Sequence, residues 1–341
     1  MKTIVYVAKD FAPTVALRAV SARVCENQDY ISEEHLGGGG EMSSKGDILN
    51  SLNTGCVLVS GMGHSAEASE LELYAINSAW ALGLPIALYA DTWGCALRKW
   101  FEPIREKVSL LFVVNESERE EVKQFFPNAQ VIASGNPLWQ TAAFPTKTRE
   151  DVRKKYNIGE NVLNVFLICR KEKHINLPHI QAVIDAVKEN ASKYPIKVLA
   201  SVHPGSPDKE QYAKIFSQHS FIEEVAEKAQ DILPGVDVVI NAGSGAGIEA
   251  VYQRVPVIEF TVSSVLDEVE RLHGKRVWQL VADGVAVVAH DSVEISKLLD
   301  TLREGGEILY TLHSHAEKKY PLPKSKDMAV MVMADEIQKM C

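Results

Sequence analysis

The chain has 341 residues, 46% of them hydrophobic and 24% charged, the balance of an ordinary globular protein, and its length suits two α/β domains of roughly 150 residues better than one core. The net charge of −9 at pH 7 argues against a general nucleic-acid surface, which needs a basic stripe. Cys25, Cys56, Cys95, Cys169 and Cys341 lack CxxC spacing, so neither a zinc site nor a disulfide framework is indicated and a reducing cytoplasm fits best; the apolar run before Lys9 and Asp10 is too short for a signal peptide, and no window approaches a membrane span.

Apolar runs of strand length alternate with helical patterns, the signature of parallel sheets covered by helices. In the first half strands are predicted at 3–8, 56–60, 86–90, 110–114 and 130–133. A helix over 14–24 follows Pro13, a good helix-start residue. Another over 67–82 carries Leu71, Leu73, Ala75, Ile76 and Ala79 at helical spacing and stops at Gly83, and a third covers 118–125. The stretch 33–44, with four consecutive glycines, reads as a mobile loop. Gly135-Asn136-Pro137 and the proline within 141–148 break the pattern. Domains are therefore expected at 1–137 and 149–324, with a linker at 138–148 and a C-terminal segment at 325–341 that is helical over 326–340 and packs back on the first domain.

In the second half helices are predicted at 149–156, 177–194, 208–217, 222–233 and 248–253, and strands at 165–169, 198–202, 236–241, 257–260 and 285–288. The fold class is α/β, two doubly wound Rossmann-like domains facing a central cleft at the carboxyl ends of both sheets, where open α/β sheets bind ligands.

Within that half, DILPGVDVVINAGSGAGIEAVYQRVPVIEF, residues 231–260, reads as strand, glycine-rich turn, helix and strand. Ser244, Gly245, Ala246 and Gly247 supply backbone able to lie close to an anion, Ser244 adds a hydroxyl donor, and the following helix points its N–H groups at the turn. Glu249, one helical turn on, suits a pair of sugar hydroxyls rather than a phosphate. The same glycines also suit any tight strand-to-helix turn. Two more strand ends run into polar sequence: Arg170-Lys171-Glu172-Lys173-His174 can neutralise phosphate, and His203 opens His-Pro-Gly-Ser. Arg170 and Lys171 read equally as solvated charges, and His203 as a histidine capping a neighbouring loop.

These residues resemble the nucleotide-binding half of GT-B glycosyltransferases, and within them the non-hydrolysing UDP-N-acetylglucosamine 2-epimerases. Cys169-Arg-Lys-Glu-Lys-His174 resembles the epimerase run of histidine, two arginines, glutamate and asparagine; Val202-His-Pro-Gly-Ser-Pro207 resembles HPNP; Ser244-Gly-Ala-Gly-Ile-Glu249 resembles SGGxxEE. Ser134-Gly-Asn-Pro137 is similar to the TGN boundary of epimerases and of the lipid-linked GlcNAc transferase of peptidoglycan synthesis. The similarity covers about half the chain. It implies that Arg170, Ser244 and Gly245 hold the phosphates of a nucleotide sugar, most simply a UDP-sugar bound as substrate, and that Glu249 holds the ribose.

The first half departs from the epimerase pattern. Ala8-Lys-Asp-Phe-Ala-Pro-Thr14 stands where a GTRPE-like loop is expected, and Ser60-Gly-Met-Gly-His64 and Tyr89-Ala-Asp91-Thr-Trp-Gly94 replace acid-bearing loops. A PEExNR run is missing. Epimerisation through elimination needs acids and bases around the sugar, so glycosyl transfer to an unidentified acceptor ranks first, epimerisation second, and non-catalytic binding of a nucleotide sugar third. Transfer needs a base from the first domain; His64, Asp91 and Asp10 are the candidates. Glu67, Glu70 and Glu72 read as helix N-terminal acids.

Trp93 and Trp100 suit either a stacking platform or packing between domains, and Gly37–Gly40 either a lid or filler. Arg98, Lys99, Arg105 and Lys107 read as a solvated basic face, or as a patch beside an acidic acceptor. No DxD pair is present and the acids are dispersed, so no metal and no resident cofactor is expected.

Overall fold

The computed structural model describes residues 3–25, 31–38 and 43–341. The chain divides into two compact units: Met1–Gln140 with Leu272–Gly274 and Lys324–Cys341, and Thr141–Arg271 with Lys275–Pro323.

In the first unit the strands are β1 (Thr3–Val7), β2 (Ile31–Ser32), β3 (Gly55–Ser60), β4 (Ile86–Tyr89), β5 (Leu110–Val113) and β6 (Gln130–Ala133), all parallel in the order β2-β1-β3-β4-β5-β6. Successive side chains point to opposite faces, and both faces are covered, which is why the strands are apolar throughout. Ile4, Tyr6, Val57 and Val59 pack with Leu17 and Val20 of helix Phe11–Cys25 and with Met333, Ala334 and Ile337 of helix Met328–Gln338. Val5, Val7, Leu58 and Leu88 pack with Ile48 and Leu52 of helix Lys45–Asn53 and with Ala75, Ile76 and Ala79 of helix Glu70–Ala81. Each such fully buried Leu or Ile contributes about 2 kcal/mol of transfer free energy.

The second unit holds β7 (Leu163–Ile168), β8 (Ile196–Ser201), β9 (Ile222–Val225), β10 (Val238–Asn241), β11 (Val257–Phe260) and β12 (Ala286–Ala289), again all parallel, in the order β12-β11-β10-β7-β8-β9. Val165, Leu167, Val198 and Ile240 pack with Ile180, Val183 and Ile184 of helix Lys173–Asn190 and Ile295 and Leu299 of helix Ser292–Glu304.

The strand order sets where a ligand can enter. Chain connections leave β1 and β3 toward opposite sides in the first unit, and β7 and β10 in the second. Each junction is a topological switch point, where the loops after the strand ends part to open a crevice.

Three expectations need correction. The stretch 222–233 is not a helix: Ile222–Val225 is the edge strand β9, and a short helix Ala229–Ile232 follows it. Its Glu, Ala and Lys content favours helix locally, but pairing with β8 overrides that preference. The first helix starts at Phe11 and runs through Pro13, whose missing N–H lies in the first turn and costs no bond. Part of the glycine stretch is pinned: Leu36 is buried, Gly37 N–H donates to Ala8 O at 3.0 Å, and residues 39–42, including Gly39 and Gly40 of the suggested lid, lie outside the described residues. Helix Lys45–Asn53 was missed. Its start is a capping box, in which Ser44 accepts from Asp47 N–H and Asp47 accepts from Ser44 N–H.

Candidate functional site

In the first unit the loops after β1 and β3 bring Asp10 and His64 together. Asp10 Oδ2 accepts the His64 backbone N–H at 2.7 Å and meets His64 Nδ1 at 2.8 Å. The imidazole is exposed, with 58% of its side-chain surface open, and Asp10 is mostly covered at 23%. Burial pushes the Asp10 carboxyl up, but the His64 ring and backbone hydrogen bonds and the charges of His64 and Arg98 outweigh it and hold the group below its ordinary value.

The glycines bracketing Met62 are required by close packing. A Cβ on Gly61 would stand 2.9 Å from the Ala8 and Pro13 side chains, and one on Gly63 would stand 2.6 Å from Ser69 Oγ. Glu72, fully buried on helix Glu70–Ala81, accepts the backbone N–H of Lys9 at 3.2 Å and of Gly63 at 3.1 Å. Burial raises its carboxyl to about 7, against those two hydrogen bonds and with the help of the Asp10 and Asp91 charges.

Asp91 follows β4. Burial raises its carboxyl to about 6, the Arg98 guanidinium opposes that, and Asp10 adds to it. Its backbone carbonyl is held by Asn136 Nδ2 at 2.7 Å. Arg98 does not belong to a solvated face: half-buried, it donates to Gly63 O at 2.9 Å and Met62 O at 3.4 Å. Arg105 likewise donates to Leu97 O at 2.9 Å, and Lys99 is exposed. Trp93 is buried and stacked on Trp139, with ring centroids 4.9 Å apart, which makes it packing rather than an open platform. Trp100 is half-buried under Arg98.

In the second unit β8, β7 and β10 are neighbours, so their carboxyl ends set His203, Arg170 and the glycine turn side by side. Arg170 is mostly covered. Its Nη1 donates to Gly243 O at 2.7 Å and Ala242 O at 3.4 Å, and its Nε to Glu172 at 3.0 Å. It thus holds the carbonyls of the turn, and its guanidinium is paired with Glu172 and, at 3.9 Å, with Glu268. Lys171 is exposed beside it. His203 is exposed and takes the Gly205 N–H on Nδ1 at 3.0 Å; burial lowers its pKa, Glu172 opposes this, and Lys171, Arg170 and Lys209 lower it further.

Asn241, at the end of β10, organises the turn. Its Oδ1 accepts Ser244 N–H at 3.2 Å and its Nδ2 donates to Ser244 O at 3.0 Å and to Glu259 Oε1 at 2.7 Å. Glu259, its register partner on β11, also accepts Gly243 N–H at 3.0 Å. Gly243 has φ +71°, a left-handed conformation suited to glycine. A Cβ on Gly247 would meet Asn241 Nδ2 at 2.5 Å.

Ser244 and Ala246 are partly open, Gly245 is exposed and Gly247 is buried, and the helix that follows is a short one, Ala246–Tyr252. Glu249 is half-buried. Burial raises its carboxyl to about 7, and the Gln230 backbone N–H and the Lys228 charge oppose that rise.

Sequence reading missed Glu72, Asn241 and Glu259. The signal for Glu259 was an acid inside the otherwise apolar strand Val257–Phe260. A cavity of about 840 Å³ lies elsewhere, at the amino-terminal ends of β7, β8, β10 and β11, with Arg254, Arg303 and His313 in its lining. Arg254 and Arg303 stand at the C-termini of helices Ala246–Tyr252 and Ser292–Glu304. There they offset the negative carbonyl end of each helix, which accounts for them without a ligand. Among the described residues no group of three or more His, Cys, Asp or Glu is arranged to hold a metal, and no helix is long and apolar enough to cross a membrane.

No protein-family profile matches the chain, and no curated protein sequence does. Solved structures do match in fold. MnaA of S. aureus, in a co-structure with UDP, is 12% identical, with a TM-score of 0.67 over 100% of this chain and 98% of that one. A UDP-GlcNAc 2-epimerase from Neisseria meningitidis, bound to UDP-GlcNAc, is 13% identical, with a TM-score of 0.64 over 99% and 100%. A glycosyltransferase from Rickettsia africae is 10% identical, with a TM-score of 0.62 over 99% and 98%. The chain therefore has the α/β fold of two Rossmann-like units shared by GT-B glycosyltransferases and these epimerases. At such identity the likeness fixes the fold and leaves the chemistry to the residues.

Proposed function

We propose that the protein is a metal-independent glycosyltransferase that moves a sugar from a nucleotide-diphosphate sugar, most simply a UDP-sugar, to an acceptor hydroxyl. The observation that carries this reading is the Asp10–His64 pair at the switch point of the first unit. With Nδ1 held by Asp10, Nε2 is the nitrogen that takes the acceptor proton as the acceptor oxygen attacks the anomeric carbon, and the aspartate stabilises the resulting imidazolium. The second unit binds the donor. The N–H groups and hydroxyl of Ser244–Gly247, with the charges of Arg170 and Lys171, meet the departing diphosphate, Glu249 holds the ribose and His203 borders the phosphates. Asp91 is the reserve base.

A second reading has support of its own. Asp10 and Asp91 each follow a strand of the first unit, and the Asp10 charge acts on Asp91, which supplies two carboxylates of the kind that elimination and re-addition at the sugar require. UDP-GlcNAc 2-epimerases share the fold over the whole length of the chain. Incubation with UDP-GlcNAc alone in D₂O separates the readings. An epimerase exchanges the C2 proton and forms a second UDP-sugar without acceptor. A transferase leaves C2 intact and releases UDP in proportion to added acceptor. A protein that binds the donor yet does neither with any acceptor is a nucleotide-sugar binder.

A further inference from the structure

Glu72 lies at the start of helix Glu70–Ala81, but it does not behave as an ordinary helix-start acid. Glu70, two residues earlier, points outward and pairs with Lys45 at 2.6 Å. Glu72 points inward, and each of its oxygens takes one backbone N–H from a different loop: Oε1 from Lys9 after β1, Oε2 from Gly63 after β3. The next residue in each loop is Asp10 and His64. A single buried carboxylate thus ties together the two chain segments whose following side chains form the pair.

From this we infer that Glu72 is a positioning residue, whose carboxylate fixes the spacing of the β1 and β3 loops and through it the orientation of the His64 imidazole on Asp10. Its value to catalysis rests on the reading of His64 as the base; its control of the His64 ring does not. Three observations support the assignment. The carboxylate has no exposure through which to find other partners. Gly63 lies close against the carboxylate, because a Cβ there would stand 3.0 Å from Glu72 Oε2. The charges felt at Glu72 are those of the site itself: Asp10 on the first loop and Asp91 after β4, with the buried Cys95 thiol nearby feeling Glu72 in turn. Replacement by Gln keeps one acceptor and sets an N–H donor against the other loop's N–H. One loop is released and the other kept, a change in geometry with little change in volume.

The test is a pH titration of the His64 imidazole by ¹⁵N-edited NMR in wild type, Glu72→Gln, Glu72→Ala and the outward-facing control Glu70→Gln, with circular dichroism to verify folding. In the Gln and Ala variants the His64 pKa is expected to fall by about half a unit or more, because the imidazolium loses its carboxylate partner. Glu70→Gln should leave it in place. If wild type turns over a donor, Glu72→Gln should lower kcat about tenfold or more with KM little changed. An unchanged His64 titration in a folded Gln or Ala variant overturns the inference, whatever the activity does. Should both variants unfold, the wild-type spectra decide: the Lys9 and Gly63 amides must shift with one common midpoint, and separate midpoints refute the link. Failure of wild type to consume any donor would instead count against the catalytic reading and leave the NMR result standing on its own.

Discussion

Asp10 and His64 are 54 residues apart in sequence, yet one aspartate oxygen receives both the backbone N–H and the ring nitrogen of the histidine. Double attachment fixes the ring plane as well as the ring position. Asp10→Asn keeps the shape but offers an amide where the carboxylate stood, so the imidazolium loses its counter-charge. The expected result is a drop in donor turnover of about 10²-fold or more, and of about 10²–10⁴-fold for His64→Ala, with nucleotide affinity unchanged in both. Turnover assays beside calorimetry with UDP check this, and full activity in His64→Ala sinks the assignment.

The second unit makes a separable prediction. Glu249→Ala removes the proposed ribose contact and the acceptor of the Gln230 N–H without touching the turn, so affinity for nucleotide sugars should fall about tenfold with a loss of about 1 kcal/mol of stability. Equal affinity for every nucleotide tested, measured by calorimetry, would remove Glu249 from the site.

Gly247 distinguishes a built turn from a passive one. A methyl group there overlaps Asn241 Nδ2, the atom that links Ser244 O to Glu259. Gly247→Ala should therefore cost about 1–3 kcal/mol of stability and weaken nucleotide binding together. Urea denaturation and calorimetry on the same preparation read both effects. Loss of stability with nucleotide affinity intact would separate the turn from the binding site.

Much of this was legible from residue pattern, and what was not has a physical reason. Strands such as Thr3–Val7 and Leu110–Val113 were visible because both faces of a parallel sheet are buried, which leaves uninterrupted apolar runs. The glycine turn and Arg170 were visible as types, but the role of Arg170 in holding the turn's carbonyls was not, because backbone acceptors leave no trace in a sequence. Glu72 was readable in principle: it shares the stripe of Ala75, Ile76 and Ala79, all buried on one face of the helix. What hid it is that an acid near a helix start has a ready local explanation. Pairing across 54 residues, as between Asp10 and His64, depends on which strands become neighbours, and one sequence does not specify that order.

The buried glutamate of the second unit makes stability depend on pH in a defined direction. Burial raises the Glu259 carboxyl to about 7, although Asn241, the Gly243 N–H and Arg170 oppose it, and its ordinary value is 4.5. Between those values the folded protein binds more protons at this site than the unfolded chain does, so stability falls as pH rises. The contribution is fully present below about 4.5 and lost as pH climbs through about 7, a change on the order of 1–3 kcal/mol. Glu259→Gln removes the titration. The wild-type stability measured against that of the variant should therefore decline from about pH 5 to about pH 8, whatever the remaining carboxylates contribute to both. Urea titrations at several pH values provide the comparison, and a constant difference across that range would mean that Glu259 stays ionised in the folded protein.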